Sequence, residues 1–486
     1  MFTSSSNQLE SLRAQTLTAA LDSAPPNKTF ATIWNDEESS ETITFGEFRE
    51  LARKQAAILH EQDLRKGQTV VLILPQGIPL MSAFAGAMSL GAVPTILAYP
   101  NFKVEPKKYG SGLAGVTANL NATLVVVDED FPAEWLSVIE ANEGTRIVRY
   151  GDGNGENANL GHWIFGQEEP DDLAFIQHSA GTTGLQKGVA LSHEAVLRQL
   201  EHLVDVLRIT NSDSIYSWLP LYHDMGLIAC FILPMVYHLS VVMQSPTDWV
   251  MRPGTMLELI SEHRCTLAWT PNFALQFLAR RVRPSDREGF DLSSLRALIN
   301  CSEPIRAQSM DEFAGAYAAF GLQPNALQNC YAMAENVFAV TQSDIDSLPK
   351  RLWVDGARLR EEHIAAEVQE DRAGALCIVS SGTCLPGNSI RIVSTEGNEL
   401  ADGAVGEVLI QSDSLFSGYY NRRDLTSEVF VDGWFKSGDL GFRSEGELFV
   451  VGRKKDLIIV GGKNIYPHDV EELAGKHPAI HDGRSI

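Results

Sequence analysis

Short apolar, β-branched runs alternate with helix-length amphipathic stretches along most of this 486-residue chain, and that alternation narrows the folds open to it. The runs fall at 69–74, 123–127, 173–177, 241–244, 266–269 and 295–299. Near-continuous apolar strands of this kind are buried on both faces, as in parallel sheets covered by helices. Between the third and fourth runs, Val196, Leu197, Leu200, Leu203, Val204 and Leu207 recur at helical spacing behind Ser192, which stands at an N-cap position. A second helix is expected over 305–320, closed by Gly321. The pattern predicts an α/β architecture with mainly parallel sheets. After about residue 385 the texture changes to short strands with turn signals, at 389–393, 406–411, 447–451 and 456–460, which predicts a small β-rich subdomain. The stretch 143–159, rich in Gly and Asn, is expected to be a surface loop.

The formal net charge of -23 would repel a nucleic-acid backbone, so no nucleic-acid partner is expected. It does not exclude a nucleotide, because a local nest of amides with one lysine outweighs a distant average field. The six cysteines form no C-x-x-C and no zinc spacing. They are expected to be reduced thiols in a cytoplasmic protein. Residues 77–99 carry no charge and are long enough to span a bilayer, but Pro79 and Pro94 interrupt them. A buried helix over 80–90 and a strand over 93–97 are expected instead, with no integral membrane association. Residues 226–243 have the same helix-then-strand texture.

The clearest chemical signal is Ser179-Ala-Gly-Thr-Thr-Gly-Leu-Gln-Lys-Gly-Val189, which follows a hydrophobic run and precedes the capped helix. Gly181, Gly184 and Gly188 let backbone amides approach a ligand closely. Ser179, Thr182 and Thr183 add hydroxyls, and Lys187 adds a positive charge suited to a polyphosphate. It is not a Walker A loop, since Lys187 is followed by Gly rather than Ser or Thr. The plain alternative is a turn between two strands.

Further motifs follow in order: Leu219-Pro-Leu-Tyr-His-Asp-Met-Gly-Leu227, Asn300-Cys-Ser-Glu-Pro304, Tyr331-Ala-Met-Ala-Glu335, Trp434-Phe-Lys-Ser-Gly-Asp-Leu-Gly441, Gly452-Arg-Lys-Lys-Asp456 and Gly461-Gly-Lys-Asn-Ile-Tyr-Pro467. In kind and order this set resembles the adenylate-forming superfamily of acyl-CoA synthetases, luciferases, peptide-synthetase adenylation domains and fatty acyl-AMP ligases. One departure is Gln186, where most members have Pro.

The resemblance implies a large N-terminal domain over 1–452, built from two sheet-and-helix subdomains and the β-rich one. Residues 453–486 would then be the hinge and the beginning of a C-terminal α+β domain that the chain does not complete. It implies ATP and Mg²⁺ as cofactors. By resemblance the phosphate loop with Lys187 holds the polyphosphate, His223 places the acid's carboxylate near the α-phosphate, and Glu335 holds magnesium. Ser302 and Glu303 meet the adenosine, Tyr331 stacks on adenine, Asp439 and Arg453 meet the ribose, and Lys455 is the hinge. Met225, Ile228, Phe231 and Ile232 are expected beside an acyl tunnel. For His223 the alternative is a loop histidine with its hydrogen bonds satisfied. Taken alone, Tyr331 and Glu335 are also compatible with structural roles.

Two features are similar to the fatty acyl-AMP ligase branch. One is Thr270-Pro-Asn-Phe-Ala274. The other is the long interval between Glu335 and Leu385, with a candidate insertion at about 343–375 containing Arg351-Leu-Trp-Val-Asp355 and a charged stretch, 359–370, expected to be helical. The resemblance implies that such an insertion restrains the C-terminal domain and directs a fatty acyl group to an acyl carrier protein rather than to CoA. A surface loop without that role is the alternative. An acyl-CoA synthetase and a non-catalytic nucleotide-binding protein are the competing readings of the whole chain.

Overall fold

The computed structural model describes residues 14–36, 39–100, 106–133, 135–136, 144–151, 168–178, 187–287, 289–456, 458–460 and 463–465. The chain divides into two compact units. The first comprises Met1–Leu259, Ala334–Phe338 and Ser414–Thr426; the second comprises Ile260–Met333, Ala339–Asp413 and Ser427–Ile486.

In the first unit, strands Ser214–Ser217, Ser240–Met243 and Thr29–Asp36 pair in parallel, and Ser39–Thr44 adds an antiparallel edge. A second, wholly parallel sheet runs Val93–Ile96, Thr69–Ile73, Leu124–Val127 and Arg146–Arg149. All five residues of Thr69–Ile73 are buried, which is why that segment is apolar without alternation. The last strand corrects the expected loop over 143–159: Ile147 and Val148 supply enough β-branched surface to extend the sheet. The stretch 77–99 folds as helix Ile78–Ser89, with Pro79 in its first turn, followed by strand Val93–Ile96. Among the described residues no helix is long and apolar enough to cross a membrane.

A third sheet in this unit is antiparallel. Leu173–His178 pairs with Gly188–Ser192, and Gly418–Tyr419 joins the other edge. The two longer strands are the flanks of the phosphate loop. Helix His193–Val206 follows directly, and the Ser192 hydroxyl accepts the Ala195 N–H at 3.2 Å, as an N-cap should.

In the second unit, Leu267–Thr270, Ala297–Asn300 and Leu327–Ala332 are parallel. Helix Ala307–Tyr317 continues as a 3₁₀ turn to Phe320, and Gly321 ends it in the left-handed region at φ 86°. The β-rich part is an antiparallel sheet of Asn388–Val393, Gly406–Ser412, Trp434–Ser444 and Glu447–Arg453. At 456–460 the strand starts later than expected, at Ile458, because Lys454–Asp456 form a 3₁₀ turn.

The candidate insertion is a hairpin, Arg351–Asp355 with Ala375–Val379, that sends Leu352, Val354, Leu359 and Ala365 into a core shared with Val405, Phe442, Phe449 and Val451. The expected helix over 359–370 is corrected. Only Gly356–Glu361 is helical, because His363 takes a left-handed conformation (φ 57°) and the Ile364 N–H returns to the Arg358 carbonyl. Beyond it the chain pairs as an extended edge, Ile364 with Ala404 and Glu367 with Val354.

The six cysteines form no disulfide among the described residues; four are buried and two half-buried. Most of the expected C-terminal segment 453–486 lies outside the described residues.

Candidate functional site

Within the first unit one cluster gathers around the flanks of the phosphate loop. Lys187 immediately precedes strand Gly188–Ser192, and its Nζ lies 4.5 Å from the centroid of the Tyr419 ring. Tyr419 is carried there by the strand pairing of Gly418 with Ala190 and of Tyr419 with Val189. Its hydroxyl donates to Glu335 Oε1 at 2.8 Å. Tyr419 therefore stands between a cation and a carboxylate, touching both. It was not among the residues expected from sequence; the aromatic pair in Gly418-Tyr-Tyr420 was the available signal. Ser179, Gly181, Thr182, Thr183 and Gly184 lie outside the described residues.

Burial of the Glu335 carboxyl raises its pKa above the ordinary carboxylate value, with Asp224 adding like-charge repulsion; the Tyr419 hydroxyl and Lys187 oppose the shift. A carboxylate pressed toward its neutral form gains from a cation beside it. Mg²⁺ is usually held through one or two carboxylates together with substrate phosphates. Glu335, with Asp224 in electrostatic reach, fits that donor set. No group of three or more His, Cys, Asp or Glu side chains suited to a metal occurs among the described residues.

His223 follows the parallel strand Ser214–Ser217, on a loop at its carboxyl end where α/β folds place ligands. Its Nδ1 lies 2.6 Å from Asp224 Oδ1. The Met225 N–H also lies 3.4 Å from Nδ1, so the ring is held against the start of the following helix. Asp224 also accepts the Met225 N–H at 2.8 Å, the first amide of a π-helix, Met225–Ile232. A Cβ on Gly226 would lie 2.3 Å from the Pro220 carbonyl oxygen, so only glycine lets this helix fold back on the histidine loop. Met225, Ile228, Phe231 and Ile232 are all buried. The Phe231 ring packs within 5.9–6.3 Å of Phe30, Phe48 and Phe84, which makes it a core ring.

A second cluster lies within the second unit. Asp439 and Arg453 are opposite each other on paired strands, which brings two separate sequence motifs side by side. Arg453 Nε lies 3.2 Å from Asp439 Oδ1, and the Tyr331 hydroxyl donates to Asp439 Oδ2 at 2.6 Å. Asp439 is 6% exposed, and burial raises its pKa while Arg453 and Tyr331 pull it back. Burial, and then the Asp439 charge, push the Tyr331 phenol well above its usual pKa, so it stays a donor. In the loop after strand Ala297–Asn300, Ser302 has φ 69°, and the Glu303 carboxylate accepts the Phe273 N–H at 2.9 Å. Lys455 is exposed in the 3₁₀ turn Lys454–Asp456.

The family described as AMP-binding enzyme matches residues 19–420. The chain is 30% identical over 469 residues to the long-chain-fatty-acid–AMP ligase FadD32 of Mycolicibacterium smegmatis, covering 89% of this chain and 72% of that protein. It is 28% identical over 466 residues to the medium-chain-fatty-acid–[acyl-carrier-protein] ligase JamA of Moorena producens, covering 93% and 78%. A solved structure from work on fatty acyl-adenylate ligases of E. coli and L. pneumophila superposes with a TM-score of 0.91 at 30% identity, covering 98% of this chain and 85% of that one.

Proposed function

Because the chain belongs to the AMP-binding enzyme family, we propose that its two clusters serve one reaction: ATP and a fatty acid give acyl-AMP and pyrophosphate. The enzyme is a ligase of the acyl-adenylate-forming type and uses ATP. A carboxylate oxygen attacks the α-phosphorus, the bond from that phosphorus to the bridging oxygen breaks, and pyrophosphate leaves. Little covalent help is needed; two anions must be aligned and their repulsion screened.

The observation that carries this reading is the line Lys187, Tyr419, Glu335 on the flank of the phosphate loop. Lys187 supplies fixed positive charge to the phosphates. Glu335, with Asp224 nearby, would hold Mg²⁺, which screens phosphate charge when bound. The Tyr419 hydroxyl fixes one Glu335 oxygen and leaves the other to face a cation. His223, held by its contact with Asp224, is assigned to the acid's carboxylate. In the other cluster Asp439 and Arg453 take the ribose, the Tyr331 hydroxyl holds Asp439 in place, and Ser302 and Glu303 belong to the loop assigned to the adenosine. Met225, Ile228, Phe231 and Ile232 are the tunnel candidates, and they favour an acid with a medium or long apolar chain.

For the acceptor we infer an acyl carrier protein. The name of JamA supports this, as does the inserted hairpin. Its short helix Gly356–Glu361 lies against Lys463–Ile465, a strand within the Gly461–Pro467 motif, and this proximity supports a restraining role for the insertion.

The test is fatty-acid-dependent exchange of pyrophosphate into ATP. Lys187→Ala and Asp439→Ala should each lower it at least tenfold, since a lost hydrogen bond to a charged group costs about 1.5–3 kcal/mol. Unchanged exchange in both variants would remove these residues from the site.

A further inference from the structure

We propose that Asn272 is the positioning residue of the nucleotide loop 300–304; the inference rests on the assignment of that loop to the adenosine made above. Asn272 begins helix Asn272–Arg281, directly after Pro271, and is 5% exposed. Its Oδ1 accepts from Asn300 Nδ2 and from the Arg306 N–H, both at 3.0 Å, and its Nδ2 donates to Ser309 Oγ at 3.1 Å. Asn300 is the last residue of strand Ala297–Asn300, Arg306 is the N-cap of helix Ala307–Tyr317, and Ser309 lies in that helix's first turn. One side chain thus ties both ends of the loop to the helix behind it. The next residue grips the middle: the Phe273 N–H donates to Glu303 Oε2 at 2.9 Å.

The chemistry selects an amide for this position. The Arg306 N–H can only donate, so the atom it meets must be an oxygen, and the orientation of the Asn272 amide is fixed. Asn300 must then present its Nδ2 to Asn272. Its own Oδ1 is left buried without a hydrogen-bond partner among the described residues. A half-satisfied buried network is a poor device for stability alone. It is understandable where loop shape is what is being held. Ser302, at φ 69°, sits in a conformation that non-glycine residues adopt only when their surroundings impose it. The clamps on either side of it, at Asn300, Glu303 and Arg306, are those surroundings.

Asn272 has no direct part in chemistry here, so its loss should act on nucleotide binding and spare the acid. The experiment compares the wild-type chain with Asn272→Ala, Asn272→Asp and Ser309→Ala. It measures kcat and the separate KM values for ATP and fatty acid in pyrophosphate exchange, with circular dichroism as the check on folding. All three side-chain hydrogen bonds of Asn272 are lost in Asn272→Ala, so the KM for ATP should rise about tenfold while that for the acid stays within about twofold. Asn272→Asp still accepts from Asn300 and Arg306, so it should recover part of the loss, with a rise of about threefold. Ser309→Ala breaks only the third bond and should stay within about twofold of wild type. A lowered kcat with both KM values unchanged would mean a merely structural role and overturn the proposal. Should Asn272→Ala fail to fold, a wild-type KM for ATP in Asn272→Asp would overturn it equally. Absence of exchange in the wild-type chain would instead defeat the adenylation reading. In that case AMP binding by calorimetry decides the inference: Asn272→Ala binding AMP as well as wild type overturns it, and weaker binding supports it.

Discussion

Asp439 has two carboxylate oxygens and two partners in the protein, Tyr331 and Arg453, one at each oxygen. An ionised carboxylate offers about four lone-pair sites, so two remain for the ribose hydroxyls we propose it binds. Its raised pKa means that the folded chain binds this proton more readily than the unfolded chain does. The associated stability is present at low pH and is lost as pH rises through the folded value. Nucleotide binding runs the other way, because protonation removes acceptor sites, so affinity should fall as pH drops through that same value. In Tyr331→Phe the donor that opposes the upward shift is gone. Calorimetric titration of AMP across pH should place the loss of affinity about one pH unit higher than in wild type, the equivalent of about 1.4 kcal/mol. An unmoved midpoint would show that the Tyr331 hydroxyl does not tune Asp439. Sequence reasoning could assign Tyr331 an aromatic face and Asp439 a ribose. It could not pair them, since they are 108 residues apart and neither motif contains a trace of the other. Tyr419 escaped for the same reason: its partners are Lys187 and Glu335, and only the strand pairing with Val189 brings it to them.

Elements were legible where their cause is local. The capped helix His193–Val206, the glycine stop at Gly321 and the buried strand Thr69–Ile73 follow from spacing and end residues. The errors came where a distant strand competes for the backbone. Residues 362–370 carry charge at helical spacing, yet they pair with Ala404 and Val354 once His363 has turned the chain. The segment Met225–Ile232 is a π-helix rather than the ordinary helix expected, and Gly226 in its first turn lies where a Cβ would meet the Pro220 carbonyl. In the insertion, Leu359 is 3% exposed and packs in the core that includes the stacked Phe442–Phe449 pair, centroids 5.0 Å apart. Leu359→Ala should therefore cost about 2–5 kcal/mol, read as a lower urea midpoint for unfolding. A change below about 1 kcal/mol, the range of a surface substitution, would show that the insertion is a loosely held loop.

At the scale of the whole molecule, the alternation of buried strands and amphipathic helices announces an α/β enzyme, and the order of the motifs identifies its superfamily. The excess of acidic residues, -23 overall, makes local positive charge the scarce resource at the proposed site for ATP. That is why Lys187 beside Tyr419 and Glu335, and Arg453 beside Asp439, carry such weight. The central claim is that this chemistry ends in an acyl-AMP. Incubation with ATP, Mg²⁺ and a panel of fatty acids, followed by mass-resolved analysis of the products, tests it most directly. The account predicts acyl-AMP and pyrophosphate, formed only when an acid of medium or long chain is present. Acid-independent release of ADP and phosphate, or AMP release with no acyl-AMP for any acid, would contradict it.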